Sequence, residues 1–155
     1  MISQTAEYCL RAVVCLAGAS GQSLTTHQIA EATKIPAGYL CKILQALGRA
    51  GMVSAQRGLN GGFVLLRDPA TLSLLEVVRI ADPSRRVTTC PLGIHGTNLC
   101  PLHRQLDEAA ALAERVLSSR NIAELMTAPG VPPLSNSAPA LCICSTEHGD
   151  PSCLK

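Results

Sequence analysis

Aromatic residues are almost missing from this chain: Tyr8, Tyr39 and Phe63 are the only ones, and tryptophan is absent. Hydrophobic residues still make up 47% of the sequence, mostly as aliphatic and alanine side chains. A core of that kind suits packed helices better than a β-sandwich. No uninterrupted apolar run is long enough to span a bilayer, so no membrane association is expected. The first stretch, MISQTAEYCLRAVVCLAG, lacks the basic n-region of a signal peptide, and Glu7 and Arg11 interrupt its apolar pattern. The expected location is therefore cytoplasmic. A reducing cytoplasm argues against pairing the eight cysteines into structural disulfides. Cys9, Cys15 and Cys41 lie in helical patterns and are expected as small buried hydrophobes.

Acid is also missing, locally. Between Thr33 and Arg67 there is no Asp or Glu, while Lys34, Lys42, Arg49, Arg57 and Arg67 carry positive charge in a chain of formal net charge +2. Segregation of this kind is an electrostatic footprint for phosphates, although a merely solvated basic face has the same composition. The pattern inside the stretch decides between the two.

At 155 residues the chain fits one domain with an arm and a tail. Its core is limited, which makes oligomerisation useful. Ile2, Ala6, Leu10, Val13, Val14 and Ala17 recur at helical spacing and predict an amphipathic first helix. In LTTHQIAEAT, Thr25 and Gln28 form a capping box and Leu24 with Ile29 a hydrophobic staple, so a short helix starts there and ends near Lys34. Pro36 then opens a third helix with a buried stripe of Leu40, Ile43, Leu44 and Leu47 and a stop at Gly51. Tyr39, Lys42, Ala46 and Arg49 occupy its opposite face, and Gln45 lies closer to the stripe. Two short helices joined by a tight turn, the second basic outside, make a helix-turn-helix. The apolar segments Met52 to Gln56 and Phe63 to Arg67 flank a loop rich in Gly and Asn, which predicts a hairpin wing with Arg57 at its tip. A further helix follows in LSLLEVVRIAD, with Ser73 and Glu76 as its capping box. From Pro101 to Arg120 the narrow stripe of Leu102, Leu106, Ala109, Ala113, Val116 and Leu117 predicts a long helix that packs against a second copy of itself. Beyond Thr127 the Pro- and Ser-rich composition suits a disordered tail.

Taken in order, QTAEYCLRAVVCLA, IAEATKIPAGYLCKILQALGRAGMV, RGLNGGFVLLRDP, LLEVVRIAD and LCPLHRQLD resemble the Rrf-two family of bacterial winged-helix transcription regulators, over roughly residues 1 to 120. That resemblance implies homodimers with paired long helices. It also implies an iron–sulfur cluster in the Cys/His loop of many members, with an extra ligand from the partner's first helix at the position of Glu7. The present loop departs from the family pattern. Of the usual three cysteines only Cys90 and Cys100 are present, His103 stands at the family's histidine position, and Ile94 and His95 surround the missing one.

Two thiolates with nitrogen ligands suit zinc, and they equally suit a two-iron cluster in which imidazole replaces thiolate. The residues alone leave both open, and the resemblance favours the cluster, a 2Fe-2S centre ahead of a 4Fe-4S one. Cys90, Cys100, His103 and Glu7 are the expected ligands, with His95 the alternative fourth. For double-stranded DNA bound as an imperfect palindrome, the candidates are Tyr39, Lys42, Gln45, Arg49 and Arg57, with Asn60, Gly61 and Gly62 allowing the wing backbone close to the strand. A Cys100–His103 catalytic dyad would need a pocket and an oxyanion site that nothing in the sequence suggests, so no enzyme is expected. Cys142, Cys144, His148 and Cys153 match no standard zinc spacing.

The expected organisation is mainly α with a small β-hairpin: a winged helix-turn-helix over 1–82, a Cys/His loop over 83–103, a dimerisation helix over 101–126 and a tail over 127–155. The expected function is a homodimeric DNA-binding regulator, a repressor, controlled by a cluster that senses redox state, nitric oxide or iron–sulfur status. The alternative is a cluster-free regulator or interaction protein switched by zinc or by a Cys90–Cys100 disulfide.

Overall fold

The computed structural model describes residues 2–58, 61–83, 86–90, 93 and 98–127. Asn60, His95, Cys142, Cys144, His148 and Cys153 lie outside the described residues, as does the tail from residue 128 onward.

Helix α1 (Gln4–Gly18) starts at Ser3, whose side chain accepts from the Ala6 amide, and becomes the centre of the molecule. Ala6, Cys9, Ala12, Val13, Cys15, Leu16 and Ala17 are all buried. The expected stripe is displaced: Ile2 is exposed, and Leu10 and Val14 are only half-buried. The reason is size. Alanine and cysteine let neighbouring helices approach closely, so the face poorest in large side chains is the one enclosed. Cys9 and Cys15 behave as the small hydrophobes expected, and burial pushes both thiols up to about 11, with the charge of Asp82 a second cause at Cys9. They stay protonated and inert at neutral pH.

Helix α2 (Thr26–Thr33) has both bonds of the Thr25–Gln28 capping box, and the chain leaves it through Lys34 in a left-handed conformation, φ 56°. Helix α3 (Ala37–Arg49) follows, burying Leu40, Ile43, Leu44 and Leu47. Gly51, at φ 69°, closes a Schellman turn in which the Met52 amide bonds the Leu47 carbonyl and the Gly51 amide that of Gly48. Strands β1 (Val53–Gln56) and β2 (Gly62–Leu65) pair antiparallel, with Val53 opposite Leu65 and Gln56 opposite Gly62. Leu24 adds a short third edge, exchanging two backbone hydrogen bonds with Phe63 at 3.0 and 2.8 Å. The wing is thereby tied to the chain entering α2. A side chain on Gly62 would run into the Leu24 backbone, and one on Gly61 would meet the Gln56 and Gly58 carbonyls at 2.9 Å.

Helix α4 (Leu74–Ala81) carries the complete Ser73–Glu76 capping box. Helix α5 (Pro101–Ser118) is long, but the expected dimerisation helix over 101–126 is not continuous. The chain breaks after Ser118, Asn121 caps a separate helix α6 (Ile122–Met126), and Ile122 is fully buried. The Ile122 amide bonds the Leu72 carbonyl at 2.9 Å, which returns the chain to the core beside α1 and α4. Among the described residues no helix is long and apolar enough to cross a membrane.

Two outcomes follow from this packing. Gly62→Ala must push β2 away from Leu24, and chemical denaturation should show a loss of more than about 1 kcal/mol. Ser73→Ala should cost about 1 kcal/mol at neutral pH through the lost cap. The backbone and side-chain hydrogen bonds to Ser73 lower the Glu76 carboxyl below its ordinary range, helped by Arg67. Its contribution is therefore present above the unfolded glutamate value and lost as pH falls through the lower folded one. The gap between the variant and the unaltered protein should narrow on acidification.

Candidate functional site

The loop-to-helix junction at α5 brings the candidate metal ligands Cys90, Cys100 and His103 together. Cys100 is the N-cap, with extended backbone, Pro101 is the first helical residue and His103 is the third. In a capping box these same two positions place one side chain against the other. Cys100 makes no capping hydrogen bond, and its Sγ lies 3.1 Å from His103 Nδ1 instead. Cys90 reaches the same nitrogen at 3.6 Å. It is buried although it sits outside any helix or strand, and Gly93, at φ 66°, turns the chain back by bonding the Cys90 carbonyl.

All three ligand atoms lie within 4.8 Å of one another. A tetrahedral centre about 2.0–2.3 Å from each ligand separates them by roughly 3.3–3.8 Å; the two sulfur–nitrogen separations, 3.1 and 3.6 Å, lie close to that spacing, and three ligands leave one position for a further one. Glu7 is not part of the group within one chain. Its exposed carboxylate pairs with Arg11 one turn along α1 at 2.6 Å.

The face that α3 turns outward is centred elsewhere than expected. Gly38, Cys41, Lys42, Gln45, Gly48 and Arg49 are exposed, with Gln45 in the middle. Gln45 is therefore not near the buried stripe, and Cys41 is not buried. The spacing holds the signal: the apolar stripe defines its own opposite side, and Gly38, Cys41, Gln45 and Gly48 recur there at three- and four-residue intervals. Tyr39 and Ala46 lie on the flank, lining a groove shared with Thr5, Cys9, Ile80 and Ala81. Tyr39 stands edge-on to Tyr8 at 6.0 Å, Lys42 lies over the Tyr39 ring at 5.9 Å, and Arg11 lies over Tyr8 at 5.7 Å. Arg57 is exposed on the wing beside Gly58, at φ 116°. Gly61 and Gly62 have an internal reason to lack side chains, the turn and the contact with Leu24.

Helix α5 buries no residue at all. Leu102, Leu106, Leu112 and Val116 are 64, 52, 56 and 57% exposed, and nothing in the described chain covers them. Leu102, Leu106, Ala109, Ala113 and Val116 form a seam of alternating four- and three-residue steps with Leu112 beside it, whereas Leu117 turns towards the body and is half-buried.

Known proteins share this fold. A family model for Rrf2, described as an iron-dependent transcriptional regulator, matches residues 2–128. A protein of Aquifex aeolicus (strain VF5), named as an HTH-type transcriptional regulator, is 24% identical over 131 residues, covering 81% of this chain and 91% of the relative. Among solved structures, T. potens IscR matches with TM-score 0.66 and 23% identity over 81% of this chain and 85% of that one. CymR (YrzC), the global cysteine regulator of B. subtilis, matches with TM-score 0.67 and 25% identity over 81% and 95%. With the winged helix, the Cys–Cys–His group and a match across most of its length, the chain belongs to the Rrf2 family of transcriptional regulators.

Proposed function

We propose that this protein works as a homodimer on double-stranded DNA and that a metal centre at Cys90, Cys100 and His103 controls its grip. The observation that carries this reading is the placement of the triad at the root of α5, the helix whose outer seam is uncovered. Whatever changes the ligand geometry tilts or slides α5, and a partner packed on the seam moves with it. A modest coupling, on the order of 1–3 kcal/mol, is enough to change operator occupancy several-fold.

DNA contact falls to the exposed face of α3 and to the wing. Lys42, Gln45 and Arg49 suit phosphates and major-groove base edges, and Arg57 suits a narrow minor groove. Tyr39 contributes from the flank, and Asn60, Gly61 and Gly62 are the wing residues proposed to let the backbone approach the strand. In a two-fold dimer the half-sites of the imperfect palindrome lie whole helical turns apart. We read the regulator as a repressor and its location as the cytoplasm.

Cys90, Cys100 and His103 would hold a 2Fe-2S cluster together with Glu7 of the partner subunit, and the cluster would supply sensitivity to redox state or nitric oxide. Two irons need four terminal ligands, and the chain's own triad leaves one short. Glu7 sits on a rigid helix and is bound only by an exposed ion pair. A second reading draws on the compactness of the triangle, every ligand atom within 4.8 Å, which suits a single zinc or iron ion.

Three outcomes test this reading. Affinity for an operator palindrome should fall steeply with salt as counterions are released, and Arg57→Ala should weaken specific binding by about 1–3 kcal/mol while thermal unfolding stays unchanged. Equal binding to unrelated DNA would remove the DNA assignment. Anaerobically purified protein should be coloured and hold iron and sulfide in equal amounts, whereas colourless protein with one zinc per chain would select the second reading. His103→Ala and Glu7→Ala should both lose the visible spectrum; retention in Glu7→Ala with loss in His95→Ala would make the fourth ligand local.

A further inference from the structure

We infer that Arg86 and Asp107 form a clamp that positions the Cys90 thiol against Cys100 and His103. This rests on the metal reading for its purpose, though not for its geometry. Arg86 lies four positions before Cys90, and Asp107 four positions after His103. The guanidinium meets the carboxylate with both arms, Nε to Oδ1 at 2.6 Å and the second nitrogen to Oδ2 at 2.7 Å. Oδ1 also accepts the Val87 amide at 3.0 Å. One carboxylate thus takes three hydrogen bonds from two consecutive residues of the loop. The Arg86 side chain is the first cause holding the Asp107 carboxyl below the usual aspartate range.

The need for such a clamp follows from where Cys90 sits. Cys100 and His103 are brought together by helix geometry alone, but Cys90 belongs to irregular chain with no ladder to fix it. The described residues 86–90 are joined to α5 at two points, through Asp107 and at Cys90 itself through His103. His103 and Asp107 are one turn apart, so both points lie on one face of the helix. A forked, doubly bonded arginine with a backbone amide beside it fixes direction as well as distance, which a single charge contact does not. Removing it leaves, of these two points, only the long Cys90–His103 contact to join the segment to α5. Arg86 and Asp107 are positioning residues and touch no metal.

The nearby Arg79–Glu114 pair provides the control. It also joins the body to α5, at 3.5 Å, and its arginine comes from α4 rather than from the loop; the charge of Glu114 also acts on Arg86, so Arg79→Ala is the arm that leaves every loop contact in place.

The experiment uses the full chain and two probes. Cobalt(II) titration reads the site by its thiolate charge-transfer and d–d absorption, taking the signal that Cys90→Ser abolishes. In metal-free protein, diamide reads the approach of Cys90 to Cys100. The two thiols lose two protons and two electrons as the Sγ–Sγ bond forms, diamide is reduced to its hydrazine, and peptide mass spectrometry locates the bond. Asp107→Asn and Arg86→Ala should each weaken cobalt binding about tenfold and slow Cys90–Cys100 coupling about tenfold. Arg86→Lys, which keeps the charge without the fork, should fall between. Arg79→Ala should match the unaltered protein in both. Unchanged cobalt binding and coupling in Asp107→Asn and Arg86→Ala overturn the clamp. Equal losses in Arg79→Ala also overturn it, because general seating of α5 would then set the geometry. If the unaltered protein shows no Cys90-dependent cobalt signal, the metal reading falls, and the coupling rates decide the clamp by the same criteria.

Discussion

Helix α5 is turned inside out. A surface helix ordinarily gives its apolar face to the core and its charges to water. Here the half-buried side carries His103, Asp107, Ala110, Ala111, Glu114 and Leu117, while Leu102, Leu106, Leu112 and Val116 face away. Two carboxylates and the candidate ligand His103, with two alanines and one leucine, dock the helix to its own chain. An apolar seam of this length is unfavourable in water unless something covers it, and its spacing suits the second copy proposed above. The intramolecular side of α5 is therefore polar and adjustable, and the intermolecular side is apolar and adhesive. Under the proposed function that division has a use: the contact that senses can change while the contact that dimerises holds.

Much of this was legible in the sequence because it depends on local rules. Both capping boxes, the Pro36 start, the Gly51 stop and the hairpin follow from short-range geometry. Cys100 and His103 were legible as a pair for the same reason. What was not legible depends on contacts far apart in sequence. The enclosure of α1 is set by the size of side chains meeting from α2, α3, α4 and α6, which a count of large apolar residues does not see. Leu24 pairing with Phe63 joins segments nearly forty residues apart and explains Gly62 better than any approach to DNA does. The return of Ile122 to Leu72 breaks a helix whose local pattern runs on. The outward position of Gln45 was readable from α3 itself, since its stripe is local; the expectation gave weight to charge and placed the centre of the face one step too far round.

The three kinds of thiol environment follow from burial. Cys9 and Cys15 are enclosed by apolar neighbours, pushed to about 11 and chemically quiet. Cys41 is exposed at the side of the α3 face proposed for DNA. Cys90 and Cys100 stand next to an imidazole at a helix start. Similar sulfur atoms thus serve as packing material, surface group and candidate ligand, and the difference between them is position alone.

Glu7 connects the two halves of the proposal. Its present bond to Arg11 is an exposed pair, worth about 0–1 kcal/mol, so recruiting the carboxylate to a partner's metal centre costs little. Arg11 does not become free when this happens. It still lies over Tyr8 and bonds the Thr33 carbonyl at the end of α2. Tyr8 meets Tyr39, and Tyr39 meets Lys42, at the edge of the proposed DNA face. Each of these ring contacts is worth roughly 0.5–1.5 kcal/mol, so none could lock the recognition helix alone. Together they match the small coupling that switching requires. A stronger chain of contacts would hold α3 in one position whatever the state of the metal site, and a weaker one would leave it indifferent.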